Sequence, residues 1–400
     1  VVAKYDGGSL LVGVFIEKQK GIILSASKRL MNLLHLANFG STNVGNGALI
    51  DGTERVIRED FPEPVEFVHE PWDDYFIEGV AGPRKFDQTF VDKVNACDAL
   101  IVGGAVMFRE DHIRFKMPRG INKPIVFYGV SYRVWGDSAY YLGNSFGYDM
   151  RQIFNEPWLA YFGVRNDGTE RWLWSKVAHH SDRVEIIPDP ALYIETVEQK
   201  PHEIEDGRVN IVVALNNEDA HQRFGYARSR VMLNIADGLK MFWEQDRKVN
   251  FIFSPHASED YRFLGDLMTL LPTEMLHQNV ISTGIHYAYQ APLFYDLYRH
   301  VDLVLAMRIH AMSPAIGLGT PMIALSSQKR MTEFMKDAGL EYYCLDIFDQ
   351  HLPGLLYGRM EAAIKYPDDV KEQFRRSYNL MRHRTWRFNQ RIYNFIKEAI

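Results

Sequence analysis

The stretch Val301–Leu325, VDLVLAMRIHAMSPAIGLGTPMIAL, decides how this chain is read. An apolar run at Val301, Leu303, Val304 and Leu305 leads into Arg308 and His310. A small-residue segment of helical character follows, with Gly317 and Gly319 near its end, and Pro321 opens a second apolar run, Met322 to Leu325. The order is strand, short turn, helix, strand. Where a parallel strand ends, the backbone N–H groups and the positive end of the next helix favour anions. Arg308 and His310 at that point make an anion site the leading expectation. Taken alone, the pair also reads as a surface ion-pair arginine and a polar residue at a helix start.

Outward from this stretch the same alternation continues. In the second half, Val209–Asn216 reads as a buried strand, Ser229–Asp246 as a helix striped by Val231, Ile235, Leu239 and Phe242, and Val249–Phe253 as a strand running into His256. Val280-Ile281, Pro292–Arg299 and Thr332–Ala338 add a strand and two helices, and Pro367–Ile400 is one long helical pattern whose basic charge reads as a solvated face. In the first half, Leu33–Ala37 stops at the loop Asn38–Gly47, and a helical pattern with Leu49, Ile50, Val56 and Ile57 follows. Strand, glycine-asparagine loop and helix is the form of a phosphate-facing loop, in which Asn43 and Asn46 donate hydrogen bonds without adding charge. The same composition also serves as a turn with a helix cap.

Val65–Val68, Ala99–Gly104 and Pro124–Gly129 are further apolar runs, and Asp87–Asn95 is helical. Such a series predicts parallel sheets covered on both faces, an α/β fold with strand ends converging on one edge. Asp189 lies between Pro188 and Pro190 and so in a fixed turn. The acidic segment Glu195–Gly207 reads as a linker. The expected organisation is an unassigned segment 1–30, a Rossmann-like domain 31–200, a second one 201–350, and C-terminal helices 351–400.

Composition narrows the function. A net charge of −6 argues against a nucleic-acid surface, which needs a basic excess on one face, but leaves room for a pocket binding a small anion. Two distant cysteines, Cys97 and Cys344, point to a reducing compartment. No run of about 18 apolar residues exists to span a membrane, and the first residues lack a signal peptide's order. The expected location is cytoplasmic, at most peripheral to a membrane. Acidic residues are not grouped, and His179-His180 lacks partners at zinc spacing, so neither a metal nor a cofactor is expected.

With these residues in place, the chain resembles the polysaccharide pyruvyl transferase family. Asn43-Val44-Gly45-Asn46 resembles its N-x-G-D loop, with Asn46 where the pattern has Asp. Asp98–Phe108 resembles its strand ending in three glycines, with Gly103, Gly104 and then Ala105 in the third place. Val164-Arg165-Asn166-Asp167 is similar to V-R-D, and Asp189-Pro190-Ala191-Leu192 to D-P-A-L. Arg308-Ile309-His310-Ala311, Gly319-Thr320-Pro321 and Lys329 are similar to R-L-H-A…G-x-P…K.

The resemblance implies two domains facing a cleft, as in B-type glycosyltransferases, with a C-terminal crossing helix. It implies transfer of a pyruvyl group from phosphoenolpyruvate to hydroxyls of a sugar, lipid-linked saccharides included, as a ketal. His310 is then general acid or phosphate ligand and Arg308 an anion fork. Asn43, Gly45, Asn46, Gly103, Gly104, Arg165, His256 and Lys329 are expected to bind substrate. Arg165 reads alternatively as a structural ion pair with Asp167 or Asp189, and His256 as an ordinary loop residue. Two other classes stay open. One is a B-type glycosyltransferase using a nucleotide sugar, with Arg308 on the diphosphate and Lys329 or Glu333 on the sugar or ribose. The other is a catalytically lapsed binding protein, to which Asn46 and Ala105 point. Oligomeric state is not legible.

Overall fold

The structure is a computed structural model. It describes residues 29–71, 76–77, 80–81, 87–104, 106–109, 112–113, 120–133, 148–149, 159–174, 182–245, 247–284 and 286–400. Ala105, His179 and His180, named above, and nearly all of the 1–30 segment lie outside the described residues.

Two six-stranded parallel sheets carry the fold. The first contains β1 (Met31–Ala37), β2 (Val65–Pro71), β3 (Ala99–Gly103), β4 (Ile125–Arg133), β5 (Leu159–Arg165) and β6 (Val184–Ile187), in the order β2-β1-β3-β4-β5-β6. Short strands at Val106–Arg109, His112–Ile113 and Tyr148–Asp149 extend it beside the end of β4. The second contains β7 (Val209–Ala214), β8 (Val249–Phe253), β9 (Val280–Ser282), β10 (Leu303–Ala306), β11 (Met322–Ser326) and β12 (Cys344–Asp346), in the order β9-β8-β7-β10-β11-β12.

The apolar runs are continuous because these strands are covered on both faces. Leu33, Ile101 and Val126 of the first sheet face the Val44–Asp60 helix and share one core with the second domain. Leu34, Leu36, Leu100 and Val102 face the other way, onto Phe90, Val91 and Val94 of the Gln88–Asn95 helix. The helix Pro367–Ala399 returns to the first domain. There Arg382 pairs with Asp60 (2.5 Å), Asn389 accepts from the Tyr128 hydroxyl (2.9 Å), and Tyr193 donates to Thr385 (2.7 Å). The Leu352–Lys365 helix before it lacks a clean sequence period because it is pressed on the Arg228–Gln245 helix, where Leu356 meets Gly238.

Strand order reverses between β1 and β3 in one sheet and between β7 and β10 in the other, and crevices outside such strand ends are where α/β folds bind ligands. Arg308 and His310 follow β10, and the loop Asn38–Asn43 follows β1.

Candidate active site

His310 sits in the first turn of the helix Ile309–Gly317. Pro314, four residues on, has no N–H to return to the His310 carbonyl, so that carbonyl is free of the helix ladder. The Tyr295 hydroxyl, from the Ala291–Arg299 helix, takes the vacant position and donates to it at 2.5 Å. The backbone bearing the histidine is thereby fixed from behind. On its other side the residue touches the first domain. A Cβ built on Gly45 would lie 2.6 Å from the His310 Cβ, so only glycine allows the Val44–Asp60 helix to start against it.

The imidazole is 18% exposed, and its Nδ1 lies 3.5 Å from Asp189 Oδ2. Asp189 is fully buried. Its Oδ1 caps the short turn Pro190–Tyr193 by accepting from the Ala191 N–H (3.0 Å), and its carbonyl accepts from Ser313 Oγ (3.1 Å). The same Oδ2 pairs with Arg165 Nη1 at 3.0 Å. Arg165, at the end of β5, also donates through Nε to the Gly129 carbonyl (2.6 Å). Burial alone would push the Asp189 carboxyl up, but the Arg165 charge, seconded by His310, holds it at about 2. For His310 burial dominates and lowers the pKa below 6.5, against the pull of Asp189. The site at neutral pH is thus a neutral imidazole backed by a carboxylate. This favours the tautomer with the proton on Nδ1 and a lone pair on Nε2.

Arg308 does not present a free fork. Its Nη1 pairs with Glu218 (2.9 Å) and its Nη2 with Asp260 (2.7 Å), and the residue is 5% exposed. Asp260, wholly buried, also accepts from the N–H groups of Asn217, His256 and Ala257. Burial disfavours the Arg308 charge, but the two carboxylates outweigh it and raise its pKa. The reading of Arg308 as an open anion clamp therefore gives way to that of a buried ion-pair residue tying β10 to the loops after β7 and β8.

The loop read as a phosphate cradle is filled by the protein itself. The Val44 N–H donates to the His256 carbonyl (3.0 Å), the Gly45 N–H to Asn43 Oδ1 (3.0 Å), and the Asn46 N–H to the Asn43 carbonyl (3.0 Å). Asn43 and Asn46 are a helix cap and a loop brace, the second donating to Ser41 Oγ at 2.8 Å. His256 is buried rather than open to the cleft. Its ring lies among Phe294, Tyr295 and Tyr298, with Nε2 3.0 Å from the Tyr298 hydroxyl, and burial keeps it neutral. Gly103 backs against His35 Nε2, and Gly104 adopts φ +69°, a left-handed conformation that glycine tolerates. Lys329 is exposed at the start of the helix Lys329–Asp337, with no partner among the described residues. Its neighbour Arg330 crosses to the first domain, donating to Ser131 Oγ (3.1 Å) and the Tyr132 carbonyl (2.9 Å).

The segments converging here, from Asn43 to Lys329, are those that the model of polysaccharide pyruvyl transferases matches, over residues 43–329. The chain belongs to the polysaccharide pyruvyl transferase family. It is a transferase whose fold is that of B-type glycosyltransferases and related epimerases. No curated protein was found to match its sequence. Among solved structures, OtsA without ligand is similar at a TM-score of 0.53 and 10% identity over 92% of this chain and 99% of that one. S. aureus MnaA with UDP gives 0.50 and 9% over 86% and 90%. The UDP-GlcNAc 2-epimerase of Methanocaldococcus jannaschii gives 0.50 and 12% over 90% and 100%. At such identities the likeness concerns the fold.

Within the site, the residues that sequence reasoning left out are Asp189, Tyr295 and Arg330. For the first two a signal exists: prolines on both sides of Asp189, and Pro314 four residues after His310, which demands an outside donor for the His310 carbonyl. Nothing in the sequence singles out Arg330. Among the described residues, no group of three His, Cys, Asp or Glu is arranged to hold a metal, and no helix is long and apolar enough to cross a membrane.

Proposed function

We propose that the chain transfers the pyruvyl group of phosphoenolpyruvate to two hydroxyls of a saccharide, forming a cyclic ketal and releasing phosphate. In balanced form, one hydroxyl oxygen bonds to C2 of the enol and its proton leaves. C3 gains a proton and becomes a methyl group, the C2–O–phosphate bond breaks, and the second hydroxyl closes the ketal and loses its proton.

The observation that carries this reading is His310 with Asp189 behind it at the junction of the two domains, in a chain of the polysaccharide pyruvyl transferase family. A neutral imidazole with its lone pair on Nε2 accepts the hydroxyl proton. Asp189 stabilises the resulting imidazolium, which returns the proton to C3. The donor's phosphate and carboxylate need cations, and Arg308 is occupied. The first turn at Ile309 and His310, with N–H groups outside the helix ladder, and the exposed Lys329 after the adjacent strand β11 take that part.

The test is calorimetric binding of phosphoenolpyruvate beside a panel of UDP- and GDP-sugars, followed by phosphate release from phosphoenolpyruvate with a saccharide panel. Binding of phosphoenolpyruvate that weakens at least tenfold in Lys329→Ala, with phosphate release abolished in His310→Ala, is expected. Binding of nucleotide sugars alone refutes the donor assignment, and binding of phosphoenolpyruvate without turnover on any saccharide makes the chain a lapsed binding protein.

A further inference from the structure

A line of buried hydrogen bonds ends on the His310 carbonyl. Tyr295 and Tyr298 lie three residues apart on the Ala291–Arg299 helix, so their rings leave the same face, and both are fully buried. The His256 ring, also buried, reaches both hydroxyls. Its Nε2 lies 3.0 Å from that of Tyr298 and its Nδ1 3.4 Å from that of Tyr295. The His256 backbone is held on both sides, its N–H donating to Asp260 Oδ2 (3.1 Å) and its carbonyl accepting from the Val44 N–H (3.0 Å). Phe294 packs edge-on against the ring at 5.0 Å. Three polar groups placed in such apolar surroundings are costly unless each is satisfied.

Counting protons gives each bond a direction. A phenol has one proton, and that of Tyr295 goes to the His310 carbonyl at 2.5 Å. Toward His256, Tyr295 can only accept, so His256 Nδ1 carries the proton. Burial, seconded by the Arg308 charge, keeps the His256 ring neutral. Its Nε2 is then a lone pair, and the Tyr298 hydroxyl donates to it. The order runs from Tyr298 through His256 and Tyr295 to the His310 carbonyl, with each proton used once.

The end of the line matters because Pro314 has no N–H for that carbonyl. In an ordinary helix the carbonyl of residue 310 would be directed by its own ladder. Here its direction depends on the Tyr295 hydroxyl, whose orientation depends in turn on His256. Gly45 packs against the His310 Cβ, so the residue is gripped between the two, and a shift of the carbonyl is passed to the imidazole.

We infer that His256 is a positioning residue: with its proton on Nδ1 and Tyr298 behind it, it orients the Tyr295 hydroxyl that replaces the missing helix bond of His310, and so sets where the imidazole stands beside Asp189. The consequence for turnover rests on the proposed function, but the positioning is read without it. The test uses the full chain with isotopically labelled histidine, whose ring-nitrogen NMR shifts report each tautomer at neutral pH. His256 and His310 are assigned by the signals lost in His256→Gln and His310→Gln. Wild type is expected to show His256 protonated on Nδ1. Tyr295→Phe removes the acceptor, so His256 should turn to the Nε2–H form, donating to Tyr298, and the His310 ring signals should move. Adding Pro314→Ala returns an N–H to the His310 carbonyl. The His310 signals should then come back to their wild-type positions while His256 stays in the Nε2–H form, a selective rescue that a residue merely filling the core would not give. Phosphate release should follow His310, with kcat down about tenfold to a hundredfold in Tyr295→Phe, KM little changed, and kcat restored in the double variant. The inference is overturned by a wild-type His256 protonated on Nε2, a measurement that needs no variant to fold. It is equally overturned by His310 signals that stay in place in Tyr295→Phe, or that Pro314→Ala leaves displaced. The expected shifts in a protein that releases no phosphate from phosphoenolpyruvate uphold the positioning and remove the pyruvyl transfer.

Discussion

Replacing Asp189 by Asn tests the buried pair behind His310 directly. The amide keeps the oxygen that caps Ala191 and nearly the same volume, so the change is one of charge. Asp189 has an ordinary pKa of 3.8 and is held at about 2. At 1.36 kcal/mol per unit, the charged form gains about 2.5 kcal/mol from folding. Arg165, 2% exposed, is left without its counter-ion, and orphaning one member of a buried pair costs about 3–5 kcal/mol. Asp189→Asn is therefore expected to lose about 3 kcal/mol at pH 7. Because the folded pKa is depressed, the carboxylate's contribution is complete above its unfolded pKa and is lost as pH falls through the folded value. The gap between wild type and variant should be flat from pH 8 to 5 and shrink by about 1 kcal/mol by pH 3. Urea unfolding across that range measures it. Arg165→Met with Asp189→Asn should recover most of the loss, because the orphaned cation is then gone. A single variant within 1 kcal/mol of wild type at pH 7, or a gap that does not narrow toward pH 3, would refute the assignment of Asp189 as the counter-ion.

Two further perturbations follow from the geometry. Arg308→Ala leaves Asp260 buried with its charge met only by backbone N–H groups, so thermal or urea unfolding should show a loss of about 3 kcal/mol; unaltered stability with lost phosphoenolpyruvate affinity would restore the open-fork reading. Asp51, which accepts from the Glu195 N–H at 2.8 Å, is pushed up to about 6, chiefly by burial. A carboxyl raised in the folded state subtracts stability as pH climbs from its unfolded value of 3.8 through 6, so Asp51→Asn should stabilise by about 1–2 kcal/mol at pH 7.5 and by nothing near pH 3.5; equal stabilisation at both pH values would mean that the charge is not the cause.

The sheets were legible because parallel strands buried on both faces become uninterrupted apolar runs, as at Ala99–Gly103 and Val249–Phe253. Helices such as Asp260–Met268 and Thr273–Asn279 were not, because one is only nine residues long and the other seven, and each turns few apolar residues inward. Parallel strand order puts Gly103 and Arg165 at the carboxyl edge of the first sheet and Arg308 and Lys329 just beyond that of the second. What the sequence could not supply is which charges are already spent. Glu218 and Asp260 precede Arg308 by 90 and 48 residues, one in the loop after β7 and the other at the start of the Asp260–Met268 helix, so no local pattern shows that they neutralise it. Asn43 likewise looks the same whether its amide NH2 donates to a phosphate or its oxygen accepts from the Gly45 N–H.

That distinction alters how the Arg308–His310 stretch works. In an open fork the arginine would be the binding group and the histidine its neighbour. With Arg308 locked to Asp260, whose remaining valences hold the N–H groups of Asn217, His256 and Ala257, the arginine instead sets where β10 ends relative to the loops after β7 and β8. His256 then caps the Val44–Asp60 helix through its carbonyl, and Gly45 of that helix abuts His310. The chain of contacts runs from Arg308 through Asp260, His256 and Val44 back to His310, and it closes only when both domains are in place. The histidine's position is a property of the assembled two-domain molecule, which is why a two-letter motif in one domain carries so little information without the prolines and glycines that lock it to the other.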